Sequence, residues 1–167
     1  FHEDADPFLI QFAVRELLTT VLGRRALVWG GHPAITPMVW SVCADLGVQY
    51  ADAVVLYQSR YFEEFFPEEN QRFGNVVYVD AVGHDERESL QRMRAEMLAR
   101  DFEAGVFIGG VEGILEECAL FTAQHRHARV GATRATGGAS RVLADRLGHD
   151  EKRLDFAHNP FSMPQGR

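Results

Sequence analysis

Three glycine pairs concentrate the chemistry of this chain. They are Gly30-Gly31 in "RALVWGGHPAITP", Gly109-Gly110 in "EAGVFIGGVEGILEE" and Gly137-Gly138 in "ATGGAS". Each follows a short apolar run and precedes a stretch with helical spacing. Glycine lets the backbone turn sharply and lets a ligand come close to it. The helix that follows offers unpaired N–H groups and a positive dipole end, which together suit a phosphate. One such pair serves turn geometry alone. Three at the same edge of one sheet indicate a nucleotide site.

Polar residues cluster around these turns. His32 can hydrogen-bond a phosphate or a base, or simply occupy the helix entry before Pro33. Thr36, before Pro37, has the residue types of an N-cap. Gln58, Ser59 and Arg60 follow the second apolar run and suit a ribose or a second phosphate, Arg60 through its planar, always charged fork. Arg134 is a second phosphate ligand of the same kind. Thr136 and Ser140 either cap the last helix or touch a phosphate. Glu112 and Glu116, four apart around Gly113, share a helix face. A glutamate there would repel a phosphate placed on it. It would accept hydrogen bonds from ribose hydroxyls, or assist breakage of a glycosidic bond. The competing reading has Glu112 complementing the helix dipole and Glu116 and Glu117 in solvent. Tyr61, Phe62, Phe65 and Phe66 suit a packed lid or an interface better than a base-stacking surface. His125 and His127 lack carboxylate or cysteine partners at ligand spacing. They read with Arg126 and Arg129 as surface charges, and no metal is expected.

The elements that must hold these residues follow from periodicity. Runs at 25–31, 52–58, 74–81, 103–110 and 128–133 are short, β-branched and apolar on both faces, as buried parallel strands are. Helical spacing covers 7–22, 37–46, 85–100, 111–126 and 138–147, with a short helix or structured loop at 60–72. Asp6 and Pro7 start the first helix, and Asp85 with Glu88 makes a capping-box-like start to the third. This alternation predicts an α/β, Rossmann-like three-layer sandwich with five parallel strands in the order 3-2-1-4-5. Residues 1–167 form one domain, with a leading helix at 1–22 and an irregular tail at 148–167 packed by Phe156 and Phe161. Ligands of such sheets bind beyond the carboxyl ends of the strands, where strand order reverses.

A net charge of −7 argues against nucleic acid or an anionic membrane as the main partner. Cys43 and Cys118 fall among apolar helix residues and read as buried free thiols, which fits a cytoplasmic location. No apolar run is long enough to span a membrane. The absence of an initial methionine fits a piece excised from a longer effector protein. The turns lack both G-x-G-x-x-G and the P-loop signature, so hydride transfer is not expected and no cofactor is called for.

"GGHPAITP", "FIGGVEGILEE" and "TGGAS" together resemble the SLOG superfamily, which includes the DNA-processing protein Smf/DprA, the lonely-guy enzymes and sensor domains of bacterial conflict systems. The similarity spans roughly residues 20–147 and is closest to the sensor type. It implies a Rossmann-like domain that binds a nucleotide-derived signal, of the cyclic ADP-ribose or ADP-ribose/NAD kind, over Gly30, Gly31, His32, Gly109, Gly110, Glu112, Gly113, Gly137 and Gly138. In Thoeris-like antiviral systems a TIR enzyme makes the signal, and the SLOG domain self-associates and regulates a fused effector. The lonely-guy members imply the alternative, a phosphoribohydrolase cleaving an N-glycosidic bond of a nucleoside monophosphate. Their motif is PGG-x-G-T-x-x-E. Here Ile108 replaces the proline, "GGVEG" has one more residue between glycines, and Ile114 stands where threonine is expected. If a hydrolase, Glu112 and Glu116 are the candidate catalytic residues.

Overall fold

Asp6 places its carboxylate on the amides of Phe8 and Leu9, at 2.9 and 3.1 Å, and Pro7 takes the first helical position. Helix α1 therefore runs Pro7–Val21 in this computed structural model, which describes residues 4–148. The expected packing of Phe156 and Phe161 lies outside the described residues. Helix α2 spans Thr36–Leu46, α3 Glu86–Leu98, α4 Glu112–Gln124 and α5 Gly138–Leu147. Asp85 caps α3 by accepting from Glu88 N–H at 2.9 Å. Short 3₁₀ segments at Val48–Ala53, Arg60–Phe65, Glu68–Arg72 and Arg134–Thr136 complete the connections.

All five expected strands form. β1 (Leu27–Gly30), β2 (Val54–Ser59) and β3 (Asn75–Val79) make one parallel ladder in the order β1-β2-β3. β4 (Ala104–Ile108) and β5 (Arg129–Thr133) make a second parallel ladder. Register runs Leu27↔Val54 to Gly30↔Tyr57, Val55↔Asn75 to Ser59↔Val79, and Ala104↔Arg129 to Ile108↔Thr133. The expected order 3-2-1-4-5 needs one correction: among the described residues no ladder joins β1 to β4. Side-chain packing does that work instead. Leu27 and Trp29 of β1 and Ile108 of β4 pack on one core, and Val28 and Phe107 belong to the other.

The two cores lie on opposite faces. Ile10, Val14 and Leu18 of α1 and Val39, Val42 and Cys43 of α2 bury against Val54 and Leu56. Met93 and Met97 of α3, Cys118 and Phe121 of α4, and Leu143 of α5 bury against Phe107 and Ala132. Period-2 alternation along each strand feeds both, which gives the Rossmann-like layers of helix, sheet and helix. Both cysteines are buried and free. Truncating a fully buried residue such as Leu56 to alanine would cost about 2–5 kcal/mol. Among the described residues, no helix is long and apolar enough to cross a membrane.

Candidate functional site

The first turn is built by Thr36. The residue types suggest an N-cap, but Thr36 is the first residue of α2 and the cap position falls on Ile35, which has no side-chain bond. The Thr36 hydroxyl instead reaches back to accept from His32 N–H at 3.2 Å and from the Trp29 indole at 3.4 Å. It is buried, so the turn is braced from inside. His32 Nδ1 accepts from Ala34 N–H at 3.2 Å. That bond puts the ring proton on Nε2 in the neutral form, so His32 offers a donor outward. Partial desolvation of the ring lowers its pKa below the ordinary value and favours that neutral form.

Gly31 donates to the Tyr57 carbonyl at 3.0 Å, and the Gln58 amide nitrogen lies directly beneath it. Gln58 is 4% exposed, and that nitrogen has no hydrogen-bond partner. A buried orphan donor costs about 1–3 kcal/mol. Gln58 lies at the end of β2, and both amide atoms of buried Asn70 are unpartnered in the same way. Ser59 is buried and accepts from Tyr61 N–H at 3.3 Å. Arg60 is held by Glu63 at 2.7 Å and Asp80 at 3.5 Å.

The fourth- and fifth-strand turns form one clamp. Gly109 and Gly110 have φ of 61° and 81°, a region L side chains rarely enter. Gly109 N–H donates to the hydroxyls of Thr136 and Ser140, both at 3.0 Å. Those two hydroxyls lie 2.9 Å apart, and Thr133 joins them at 2.9 Å from Thr136. In return, Ala139 N–H donates to Gly110 O at 3.1 Å and Ser140 N–H to Gly109 O at 3.0 Å. Two of the orphan amides at the start of α5 are thus already engaged. The main chain of Asp4 and Ala5 lies against Gly137, and Asp6 N–H donates to Thr136 O at 3.2 Å. The third glycine pair therefore secures the site's frame and the start of α1. α2 and α4 begin without any side-chain cap.

Glu112 opens α4, and its side chain lies outside what the structure describes. Glu116 is 3.5 Å from Arg94 Nη1, and Glu117 is 4.0 Å from Arg94 Nε. The expectation that Glu117 sits in solvent needs correction: its side chain is only 26% exposed, and burial raises its pKa while Arg94 opposes that rise. Arg94 also packs against Gly113, where a Cβ would meet its Nη2 at 2.7 Å. Arg94 was legible in principle, since it shares a helix face with Leu90 and Met97, where a charge needs a partner. A groove of about 380 Å³ between α3 and α4 is lined by Arg94, Glu116 and Leu120 among others. It flanks α4 rather than facing the strand ends.

Two further positions have partners across the fold. Arg134 pairs with Asp145 of α5 at 2.7 Å. His125 is not a surface charge: it is half-buried, its Nε2 is 2.9 Å from Leu98 O, and its ring packs on Phe102 and Phe121.

Compared with known protein families, residues 1–160 match the model of the SLOG cluster3 family. Neither the curated proteins nor the solved structures gave a match.

Proposed function

The chain belongs to the SLOG cluster3 family, and from that premise we propose that it is a sensor domain for a nucleotide-derived signal. The ligand class is a cyclic ADP-ribose or a related ADP-ribose/NAD metabolite. One observation carries this reading: the buried, unpartnered Gln58 amide beneath Gly31, beside the uncapped start of α2. An orphan side-chain donor at the end of β2, beneath the first turn, suits a ligand rich in oxygen acceptors. His32 adds an outward N–H without adding positive charge. Binding energy then shifts the packing of a homo-oligomer and a fused or partner effector, with a TIR enzyme as signal producer in cytoplasmic antiviral defence.

Glu117 favours a second reading. A carboxyl whose pKa is raised by burial, beside an arginine, has the properties of a general acid for N-glycosidic hydrolysis. Against it, Glu116 and Glu117 both face Arg94 on the α3–α4 flank.

Thermal shift with ADP-ribose, cyclic ADP-ribose isomers, NAD and AMP separates the two, with the same mixtures assayed for released base or nicotinamide. The sensor reading expects a large shift without turnover. Released base, abolished by Glu116→Ala or Glu117→Ala, would replace it with the hydrolase. No shift and no released base with any probe would refute both.

A further inference from the structure

The carboxyl ends of β2 and β3 carry a three-tier stack beyond the glycine turns. The rings of Phe66 and Tyr78 lie nearly parallel, with centroids 5.3 Å apart and planes 26° apart. The Arg60 guanidinium carbon stands 5.1 Å over the Tyr78 ring. Spacing alone offers Arg60 as an anion ligand. Its charge, however, is already met by two carboxylates, Glu63 at 2.7 Å and Asp80 at 3.5 Å. One cation between two carboxylates attracts no phosphate. What it still offers is planar surface in a fixed orientation. Tyr78 is 37% and neighbouring Phe65 68% exposed, and β3 is the outer strand of its ladder.

Register ties this stack to the first turn. Gln58 pairs with Tyr78 across β2 and β3, so their side chains share a face. The Gln58 amide nitrogen, buried and unpartnered, meets Gly31. Gly30 pairs with Tyr57, one residue before Gln58. From the first turn to Tyr78 is therefore two inter-strand spacings, about 10 Å. A phosphoribosyl group covers a gap of that order.

We propose that the planar face of the Arg60 guanidinium, backed by the Tyr78 and Phe66 rings, is the platform for the nucleobase of the ligand. The proposal rests on the nucleotide reading above and assigns the ligand's two ends. Phosphate lies at the first turn, where His32 offers its Nε2–H. The base stacks beyond β3. Gln58 donates to an oxygen between them once the side-chain-free Gly30-Gly31 turn shifts to uncover it. Glu63 and Asp80, at the rim, accept from a ring amino group, so the fitting class is an amino-bearing purine such as adenine.

Calorimetric titration with ADP-ribose and ribose 5-phosphate tests this on the wild type, Tyr78→Leu and Tyr78→Phe. Leucine keeps apolar volume and removes the ring, and circular dichroism melts check that each variant folds. Tyr78→Leu should bind ADP-ribose roughly 10-fold more weakly or worse, with ribose 5-phosphate unchanged. Tyr78→Phe should retain wild-type affinity for both. Tyr78→Leu binding ADP-ribose like the wild type, or losing both probes equally, would overturn the platform alone. A wild type that binds neither probe would overturn the ADP-ribose form of the nucleotide reading, on which the platform rests.

Discussion

Replacing Gly138 by alanine tests the joint between the fourth- and fifth-strand turns. Gly138 has φ of 59°, where an L side chain costs about 1–2 kcal/mol. The added Cβ would also stand 2.5 Å from Gly110 O, so that carbonyl must move. It receives the Ala139 N–H, and its neighbour Gly109 O receives the Ser140 N–H, at 3.1 and 3.0 Å. Losing both bonds costs about 1 kcal/mol each, and more if the groups stay buried and unpaired. The total is about 3–5 kcal/mol, which for a domain of this size lowers Tm by roughly 10 °C. Gly83→Ala is the control. Gly83 has φ of 53° with nothing within 4 Å, so only the backbone strain of about 1–2 kcal/mol applies. Thermal melts and urea midpoints of both variants measure the difference, and hydrogen exchange at the Ala139 and Ser140 amides locates it. If the two variants melt within a degree or two of each other with those amides still protected, the clamp between α5 and the Gly109-Gly110 turn carries no energy and the reasoning fails.

Gln58→Met replaces an unpartnered buried amide by an apolar chain of similar volume, so it should raise stability by about 1 kcal/mol. It should also weaken ADP-ribose binding, and a loss of stability with unchanged binding would show that the amide is paired in solution. His32 has a lowered pKa, so as pH falls below about 6.5 the unfolded chain takes up a proton that the folded chain resists. Stability therefore declines towards pH 5. Melts of the wild type and His32→Gln across that range should show a shallower decline in the variant, and equal slopes would discount the turn's hold on the ring. Glu117 is shifted the other way: its raised folded pKa gives stability that is lost as pH rises above about 4.5 towards the folded value. Glu117→Gln should melt no lower than the wild type at pH 8, and a marked loss would mean the Arg94 attraction outweighs burial.

Local signals in the sequence translated well into local structure. The Asp6 and Asp85 caps, the five strand runs and the glycine turns depend on neighbours within a few residues, and all appear where spacing places them. What spacing could not show are pairings across the chain. Thr36 looks like a cap until Trp29 and His32 are seen to use its hydroxyl. Arg60 and Arg134 look free until Asp80 and Asp145 approach them. Thr136 and Ser140 look like ligand-facing hydroxyls until Gly109, 27 and 31 residues away, donates to both. Strand order was legible for 3-2-1 and 4-5 because a strand–helix–strand unit with a right-handed crossover sets successive strands side by side. The join between β1 and β4 depends on side chains of α1 and α3 that converge on Gly109 and Gly30.

The seal of Asp4 and Ala5 on Gly137 bears on how the molecule forms. Asp6 bonds Thr136, Ile10 covers Gly109, and Arg141 reaches the Asp4 carbonyl at 3.5 Å. These contacts close loops of about 100 residues or more, which is entropically late. On the ribosome, α1 can dock on α2 early, but its leading end has no seat until the stretch around Arg141 has emerged. A chain stalled before that point holds its first strands yet leaves the Gly109-Gly110 turn unbraced. Assembly of the glycine-turn edge is thereby tied to completion of the stretch through Arg141.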